Sequence, residues 1–209
     1  MRGRVLAVLT LVTYNSWLAW SLNGDPEVLT GYLSELAAQD QPFQWFFRLG
    51  DALAAGVFAV IAVLGRRGWE PWLGRRAPQA ALALLVVALA TLLDIVFNLP
   101  CAESRDATCA ATITMTRRIH EGASVLVALG FVALIGLSAL GMAERHGRWE
   151  RSARLTAGLT ALVSLLLITS AVAPTAAPGT QGVLQAVQVI LCSGWIAVMA
   201  WRLPEAKHA

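Results

Sequence analysis

The stretch QAALALLVVALATLLDIVFNL, residues 79–99, decides the fold class of this chain. It is apolar over a length that crosses a bilayer, for which a helix needs about 20 residues. The whole chain is 57% hydrophobic and 14% charged, whereas soluble domains carry about 25% charged residues. Lipid is therefore the predicted solvent for most of the chain. Asp94, near the end of this stretch, is a carboxylate that such a solvent penalises.

Five other apolar stretches have a comparable length. We predict an all-α fold, an integral membrane bundle of six transmembrane helices, with spans at about residues 5–22, 43–65, 79–99, 120–142, 154–174 and 182–202. The connections are short, so residues 1–209 are predicted to form a single six-helix domain. The first span starts like a signal peptide, but no small-residue cleavage pattern follows it, and we expect it to be retained.

The basic residues predict the orientation of the spans, because Lys and Arg favour the cytoplasmic side of a membrane. With both termini cytoplasmic, 12 of the 16 basic residues lie on that side. The exceptions are Arg48, Arg105, Arg117 and Arg118. The net charge of +3 then reflects topology, and we predict no nucleic-acid partner. Trp69, Trp72 and Trp149 suit the aromatic belt at the cytoplasmic interface.

The first predicted outer connection, residues 23–42, carries a helix-start signal. Asp25 is a good N-cap, and Pro26 is a good first helical residue. Apolar residues then recur at helical spacing as far as Leu36. This pattern predicts a short amphipathic helix that lies on the outer surface or dips into it.

The second predicted outer connection, residues 100–119, carries two of the three cysteines, Cys101 and Cys109. An outer compartment can be oxidising, and a loop this short can bring two α-carbons within disulfide distance. We therefore predict a disulfide between them, with free thiols or metal-bound thiolates as alternatives. Cys192 falls inside a span and is predicted to be a small buried residue.

Polar side chains within the spans converge on one depth. Odd spans run outward and even spans run inward, so a late position in an odd span matches an early position in an even one. The polar residues at these positions are Asn15, Arg48, Asp51, Asp94, Asn98, His120, Ser124, Gln185 and Gln188. All of them lie in the predicted outer third of the bilayer. Ionisable groups at such a depth usually face a cavity or a partner.

A histidine near carboxylates and a serine has the ingredients of general acid–base or nucleophilic catalysis. The catalytic candidates within the spans are His120, Asp94, Asp51 and Ser124. The candidates for substrate binding are Arg48, Arg117, Asn98, Gln185, Gln188 and Asn15. Arg48 or Arg117 would hold a phosphate or carboxylate of the substrate.

Structural roles remain open for the same residues. Arg48 and Asp51 are three residues apart and could form an ion pair on one helix. Asp94 could pair with Arg48, His120 or Arg117, and His120 could be an interfacial residue. A divalent metal at Asp51, Asp94 and His120 is conceivable, but one histidine at this depth disfavours a zinc site, and no cofactor is firmly implied.

Two segments resemble a bacterial multi-pass membrane family of unknown function, number nine hundred and ninety-eight. They are YLSELAAQDQPFQWFFRLGDALAAG, residues 32–56, and LLDIVFNLPC, residues 92–101, followed by RRIHEGAS, residues 117–124. The matching elements are Ser34-Glu35-Leu36, Asp51 or Arg48, Asp94 with Pro100-Cys101, and His120. The resemblance implies six helices in a bacterial cytoplasmic membrane and adds Ser34 and Glu35 to the catalytic candidates. The segment carrying them would close over the polar cluster as a lid, or present a solvated face.

A looser similarity is to membrane hydrolases of the alkaline-ceramidase and adiponectin-receptor type. Those proteins also set serine, aspartate and histidine at helix ends, but they bind zinc through three histidines. This chain has a single histidine at the predicted depth. The similarity therefore implies a related site without implying the metal.

We predict a membrane hydrolase or transferase that acts on a lipid or lipid-linked molecule from a polar cavity on the outer side. The alternative is a non-enzymatic lipid- or ligand-binding protein, or an accessory membrane subunit. A transporter or channel ranks last, because the predicted cytoplasmic half of the spans carries no comparable polar set. The oligomeric state is not predicted.

Overall fold

The computed structural model describes residues 1–24 and 29–203. Within those residues the chain forms helices and turns without a β-strand, so the all-α prediction is confirmed. The α-helices are α1 (Arg2–Tyr14), α2 (Gln44–Gly68), α3 (Glu70–Leu73), α4 (Ala77–Val96), α5 (Ala107–Ala111), α6 (Met115–His146), α7 (Arg151–Ala176) and α8 (Gln181–Trp201). Short 3-10 helices occupy Ser16–Asn23, Leu33–Ala37 and Gly74–Arg76.

Six helical segments in the described residues are long and apolar enough to cross a membrane, as predicted. Span one is α1 with the 3-10 helix that follows it, and span three is α3 with α4. Spans two, four, five and six are α2, α6, α7 and α8. The cytoplasmic position of the termini stays a prediction, because it rests on the charge distribution.

The spans pack as a closed ring in chain order. Each span contacts the next one along the chain, and α8 returns to pack against α1. Small residues allow close approach on α6: a Cβ at Gly130 would lie 2.7 Å from a methyl carbon of Val87 on α4. Helices in lipid associate through such close packing, since lipid tails are as apolar as the side chains. Fully buried side chains such as Phe58, Leu84 and Ile135 fill the centre.

The prediction that Trp69 belongs to an interfacial belt is wrong. Trp69 follows the end of α2, is 0% exposed, and donates a hydrogen bond from Nε1 to the carbonyl of Met199 at 2.9 Å. Gly65 makes room for the ring, since a Cβ there would lie 2.5 Å from it. The indole enters the bundle because its single polar atom finds a buried acceptor there. Trp149, at 73% exposed, remains compatible with an interface.

The first predicted outer connection is folded into the end of the bundle. The predicted helix start at Asp25 and Pro26 lies outside the described residues. The described part contains the 3-10 helix Leu33–Ala37, whose Leu36 is buried rather than spread on the surface. The loop can enter the bundle because its backbone finds partners: the Leu33 N–H donates to Gln185 at 2.6 Å, and the Leu36 carbonyl accepts from Asn23 at 3.1 Å.

The predicted disulfide between Cys101 and Cys109 is present, with the two α-carbons 6.5 Å apart. It closes residues 101–109 of the second connection, a segment that ends within the helix α5. Cys192 is a buried free cysteine, as predicted. We call the end of the bundle with the connections after spans one, three and five the loop end; it is the predicted outer side.

Candidate functional site

Two adjoining cavities lie at the loop end, and we name them the deep and the shallow cavity. The deep cavity, of about 120 Å³, is lined by spans one, two, three, four and six and by the first connection. The shallow cavity, of about 320 Å³, is lined by spans four, five and six and by the first two connections. Ser34, Ser124, Gln185 and Gln188 contribute to the walls of both. The two cavities therefore form one site with two compartments.

Helical spacing explains how single helices supply several lining residues. His120 and Ser124 are four residues apart on α6, so both side chains lie on one face. Gln185 and Gln188 have the equivalent relationship on α8, at a spacing of three. The ring packing then turns these faces towards the interior of the bundle. The alternating chain direction predicts their common depth, but it does not predict which way they face.

Asp94 connects span three to span four through two side chains. The Ser124 hydroxyl donates a hydrogen bond to Asp94 Oδ1 at 2.6 Å. His120 Nδ1 lies 3.4 Å from the same Oδ1 and 3.2 Å from the backbone carbonyl oxygen of Asp94. The Ser124 hydroxyl is thus hydrogen-bonded to the carboxylate and not to the imidazole. Ser124 and His120 therefore do not form a serine–histidine catalytic pair.

The position of His120 assigns its tautomer. A carbonyl oxygen only accepts hydrogen bonds, so Nδ1 is the protonated nitrogen next to Asp94. In the neutral ring Nε2 then carries a free lone pair. His120 is 4% exposed, its Nε2 is buried without a partner among the described residues, and the side chain lines the shallow cavity. Buried polar atoms are almost always hydrogen-bonded, so a buried nitrogen in this state calls for a partner such as a bound molecule.

Asp51 lines the deep cavity and has no hydrogen bond or ion pair with the residues that the structure describes. The ion pair with Arg48 is not formed. Arg48 instead donates to the carbonyl of Ile95 at 3.1 Å and stacks over Trp45 at 4.3 Å. Its charge therefore faces the C-terminal end of α4, where helix carbonyls lack partners.

Ser34 and Glu35 both line the site, but the Glu35 carboxylate is already hydrogen-bonded to neighbouring residues. Its carboxylate accepts hydrogen bonds from the Tyr32 N–H at 3.2 Å, the Ser104 N–H at 3.1 Å and the Ser104 hydroxyl at 2.5 Å. Glu35 thereby joins the first connection to the second. Burial, with a further contribution from the Glu35 carboxylate, raises the pKa of Tyr32, whose hydroxyl donates to the Ser170 carbonyl on α7.

Arg117 ties the second connection to the start of α6. Its guanidinium lies 2.7 Å from Glu103 and 2.9 Å from Glu121, and it donates to the Ala110 carbonyl at 2.7 Å. Glu103 and Glu121 line the shallow cavity, whereas Arg117 does not. Burial raises the pKa of Glu103, and the Arg117 charge opposes that rise. Glu103 was not predicted as a site residue. The nearby Arg117 was the feature of the sequence that could have indicated a carboxylate partner in this connection.

Asn98 and Asn15, two further binding candidates, lie outside both cavities and form structural contacts. The Asn98 amide donates to the Ala37 carbonyl at 2.5 Å and so holds the first connection. Asn15 donates to the Leu11 carbonyl and to Ser193 Oγ, joining spans one and six at the end of α1. Gln185 and Gln188 are the binding candidates that do line the cavities.

Aromatic residues of the deep cavity were not predicted. They are Tyr14, Trp17, Phe47 and Phe131. Tyr14 packs against Phe131 with ring centroids 5.7 Å apart. Phe47 precedes Asp51 by one helical turn, a spacing that places both residues on one face of α2. This spacing alone does not single out Phe47, because apolar residues occur on every face of a membrane helix. No group of three His, Cys, Asp or Glu side chains able to hold a metal ion occurs within residues 1–24 and 29–203.

The family comparison covers this whole architecture. A family model described as "Protein of unknown function (DUF998)" matches residues 5–202. The chain belongs to this family. The match includes spans two to six, span one from residue 5 onward and every residue that lines the two cavities, so the site lies within the DUF998 region. No curated protein and no solved structure matches the chain.

Proposed function

We propose that this DUF998 protein is an integral-membrane hydrolase or transferase that acts on a lipid or lipid-linked substrate at the loop-end site. The observation that supports the proposal is His120, which lines the shallow cavity and whose buried Nε2 has no hydrogen-bond partner among the described residues. Asp94 on the Nδ1 side holds the ring and stabilises the charge that it would gain during proton transfer. The site would face the outer side of a bacterial cytoplasmic membrane.

His120 would be the general base. A water molecule, or an alcohol in a transferase, would lose its proton to Nε2 while its oxygen bonds to the acyl or phosphoryl centre of the substrate. The same proton would then pass from Nε2 to the leaving atom. Ser124 would be a positioning residue, because its hydroxyl donates to Asp94.

The shallow cavity suits a substrate that enters from the bilayer. It lies among α6, α7 and α8, and its apolar lining residue Val125 is 53% exposed. Leu167 and Ala171 of α7 add apolar surface to the same wall. A lipid tail would lie along this apolar wall while the polar part enters between the helices.

A non-enzymatic binding or accessory protein is the second candidate. The hydrogen bond from Ser124 to Asp94 favours it, because it leaves no assembled nucleophile in the site. Such a protein would hold a lipid at the same cavities without turning it over.

The test replaces His120 by Ala and Asp94 by Asn in the full-length chain. Lipid turnover is followed by mass spectrometry of membranes that contain the purified protein, and folding is checked by thermal unfolding. We expect His120→Ala to lower turnover about 100-fold or more, the scale of general base catalysis. His146→Ala, at the opposite end of α6, is the matched control and should leave turnover unchanged.

A folded His120→Ala protein with unchanged turnover would exclude the catalytic role. If a lipid co-purifies with the wild-type protein and no turnover is detected for any variant, the binding function is the better account.

A further inference from the structure

We infer that the deep cavity binds an organic ammonium group, the positively charged end of an amine or trimethylammonium head. This inference rests on the proposed function, since it names the chemical class of the substrate. It departs from the sequence-based expectation that Arg48 or Arg117 holds an anion, because neither arginine lines a cavity.

The charged side chains that line the described parts of the two cavities are carboxylates. Asp51 and Asp94 line the deep cavity, and Glu35, Glu103 and Glu121 line the shallow one. Within residues 1–24 and 29–203, the side chains that line the two cavities include no lysine and no arginine. An anionic group in the deep cavity would face carboxylates at short range, where the low dielectric strengthens repulsion. A cation gains from the same arrangement.

Asp51 is the carboxylate in this set that lacks a partner. Asp94 is engaged by Ser124 and His120. The three glutamates are held by Ser104 or Arg117. Asp51 has no such contact within the described residues although it lies in a membrane span. A lone carboxylate at this depth is costly without a counter-charge, and a bound ammonium group would supply one.

The aromatic walls select an organic cation. Tyr14, Trp17, Phe47 and Phe131 line the deep cavity together with Asp51. Aromatic faces attract ammonium groups, and quaternary ammonium ligands are commonly held in aromatic cages. A metal ion would require several oxygen or nitrogen ligands in place of these rings.

Two buried polar side chains independently indicate a ligand. Gln188 is 7% exposed, lines both cavities, and forms no side-chain hydrogen bond with the described residues. His120 Nε2 is likewise unpartnered at the shallow cavity. Buried polar atoms are almost always hydrogen-bonded. A molecule that places its ammonium group in the deep cavity and extends into the shallow one would satisfy both.

The experiment measures binding to the purified full-length chain in neutral detergent micelles by titration calorimetry, with empty micelles as the blank. The probes are choline, decyltrimethylammonium, inorganic phosphate and the neutral isostere of choline, in which a tert-butyl group replaces trimethylammonium. We expect an ammonium probe to bind, and Asp51→Asn to raise its Kd about tenfold or more through loss of the charge attraction. Asp106→Asn is the matched control, because Asp106 is a loop-end carboxylate outside both cavities and Asn also caps a helix.

A comparison of the two ammonium probes distinguishes a lipid head group from a free amine as the ligand. Tighter binding of decyltrimethylammonium than of choline supports a lipid head group, and equal binding supports a free amine. Failure of both to bind, equal binding of the neutral isostere, or an unchanged Kd in Asp51→Asn overturns the inference. The two readouts are separate: ammonium binding that depends on Asp51 without any turnover would contradict the proposed catalysis alone, and turnover without ammonium binding would contradict this ligand assignment alone.

Discussion

Asp94 accepts a hydrogen bond from Ser124 and faces His120, so a single carboxylate organises two side chains of the neighbouring span. The three residues lie between the two compartments of the site. At the scale of single residues, the decisive feature is the direction in which each polar atom points. The serine hydroxyl is directed to the carboxylate, the imidazole Nδ1 is directed to the same residue, and Nε2 is left for a bound molecule.

Ser124→Ala tests whether the hydroxyl positions Asp94 or attacks the substrate. Loss of a hydrogen bond to a charged acceptor costs about 1.5–3 kcal/mol, so we expect turnover to fall about tenfold to 100-fold. Ser124→Thr keeps a hydroxyl at the site and should recover part of the activity. If Ser124→Ala abolished turnover as completely as His120→Ala and Ser124→Thr did not recover it, the positioning role would be wrong.

At the scale of elements, the connections at the loop end determine the shape of the cavities. The first connection lies against the start of α8, where Gln185 accepts from the Leu33 N–H. Gly182 allows this contact: a Cβ there would meet the carbonyl oxygens of Leu29 and Gly31 and would lie 2.8 Å from the Leu29 carbonyl carbon. The contact is made by rigid backbone, so a side chain at this position cannot be accommodated by rotamer changes alone.

Gly182→Val should lift the first connection from α8. We expect a loss of about 1–3 kcal/mol of stability, as for other overpacked sites, and weaker binding at the cavities that the connection lines. Gly194→Val on the same helix is the control, since a Cβ at Gly194 meets nothing within 4 Å. Thermal unfolding of the two variants in micelles gives the comparison. Equal unfolding midpoints would contradict the proposed contact.

The disulfide acts on the second connection. It encloses Glu103 and Ser104, which contact Arg117 and Glu35 respectively. Replacing Cys101 and Cys109 by Ser together should cost about 2–3 kcal/mol through the freedom gained by the unfolded loop. A reducing agent provides the control: it should lower the unfolding midpoint of the wild-type chain towards that of the double variant and leave the variant unchanged. A change in the unfolding midpoint of the double variant on addition of the reductant would show that the effect does not arise from this disulfide.

At the scale of the whole molecule, the six spans close into a ring, and the two cavities lie at one of its ends. The basic residues predict that this end faces outward. Access from the outer leaflet and access to an oxidising compartment for the disulfide both depend on that orientation.

The orientation can be measured by labelling single introduced cysteines in intact cells with an impermeant maleimide. Ala177→Cys lies at the loop end and Arg148→Cys at the other end, and both positions are exposed. We expect labelling of Ala177→Cys alone, with Arg148→Cys labelled only after the cells are opened. Cys192 is buried and should not contribute. The reverse pattern would place the site on the cytoplasmic side.

The sequence by itself determined the six spans and the depth of the polar residues. Lipid requires long apolar runs, so the spans are visible as composition, and alternating chain direction converts position into depth. Asp51, Asp94, His120, Ser124, Gln185 and Gln188 could be grouped in this way. The disulfide followed from the short distance between its cysteines along the chain.

Only the tertiary structure decided which way each side chain faces and what it contacts. Depth does not specify rotation about a helix axis, and a membrane helix is apolar on all faces, so periodicity does not reveal its inner side. Arg48 and Asn98 share the depth of the site but donate to backbone carbonyls of neighbouring segments. Asn15 shares that depth too, but it donates to the Leu11 carbonyl of its own helix and to Ser193 Oγ of α8. Tyr14 and Phe47 look like lipid-facing residues in the sequence, yet they line the deep cavity, because ring packing turns their faces inward.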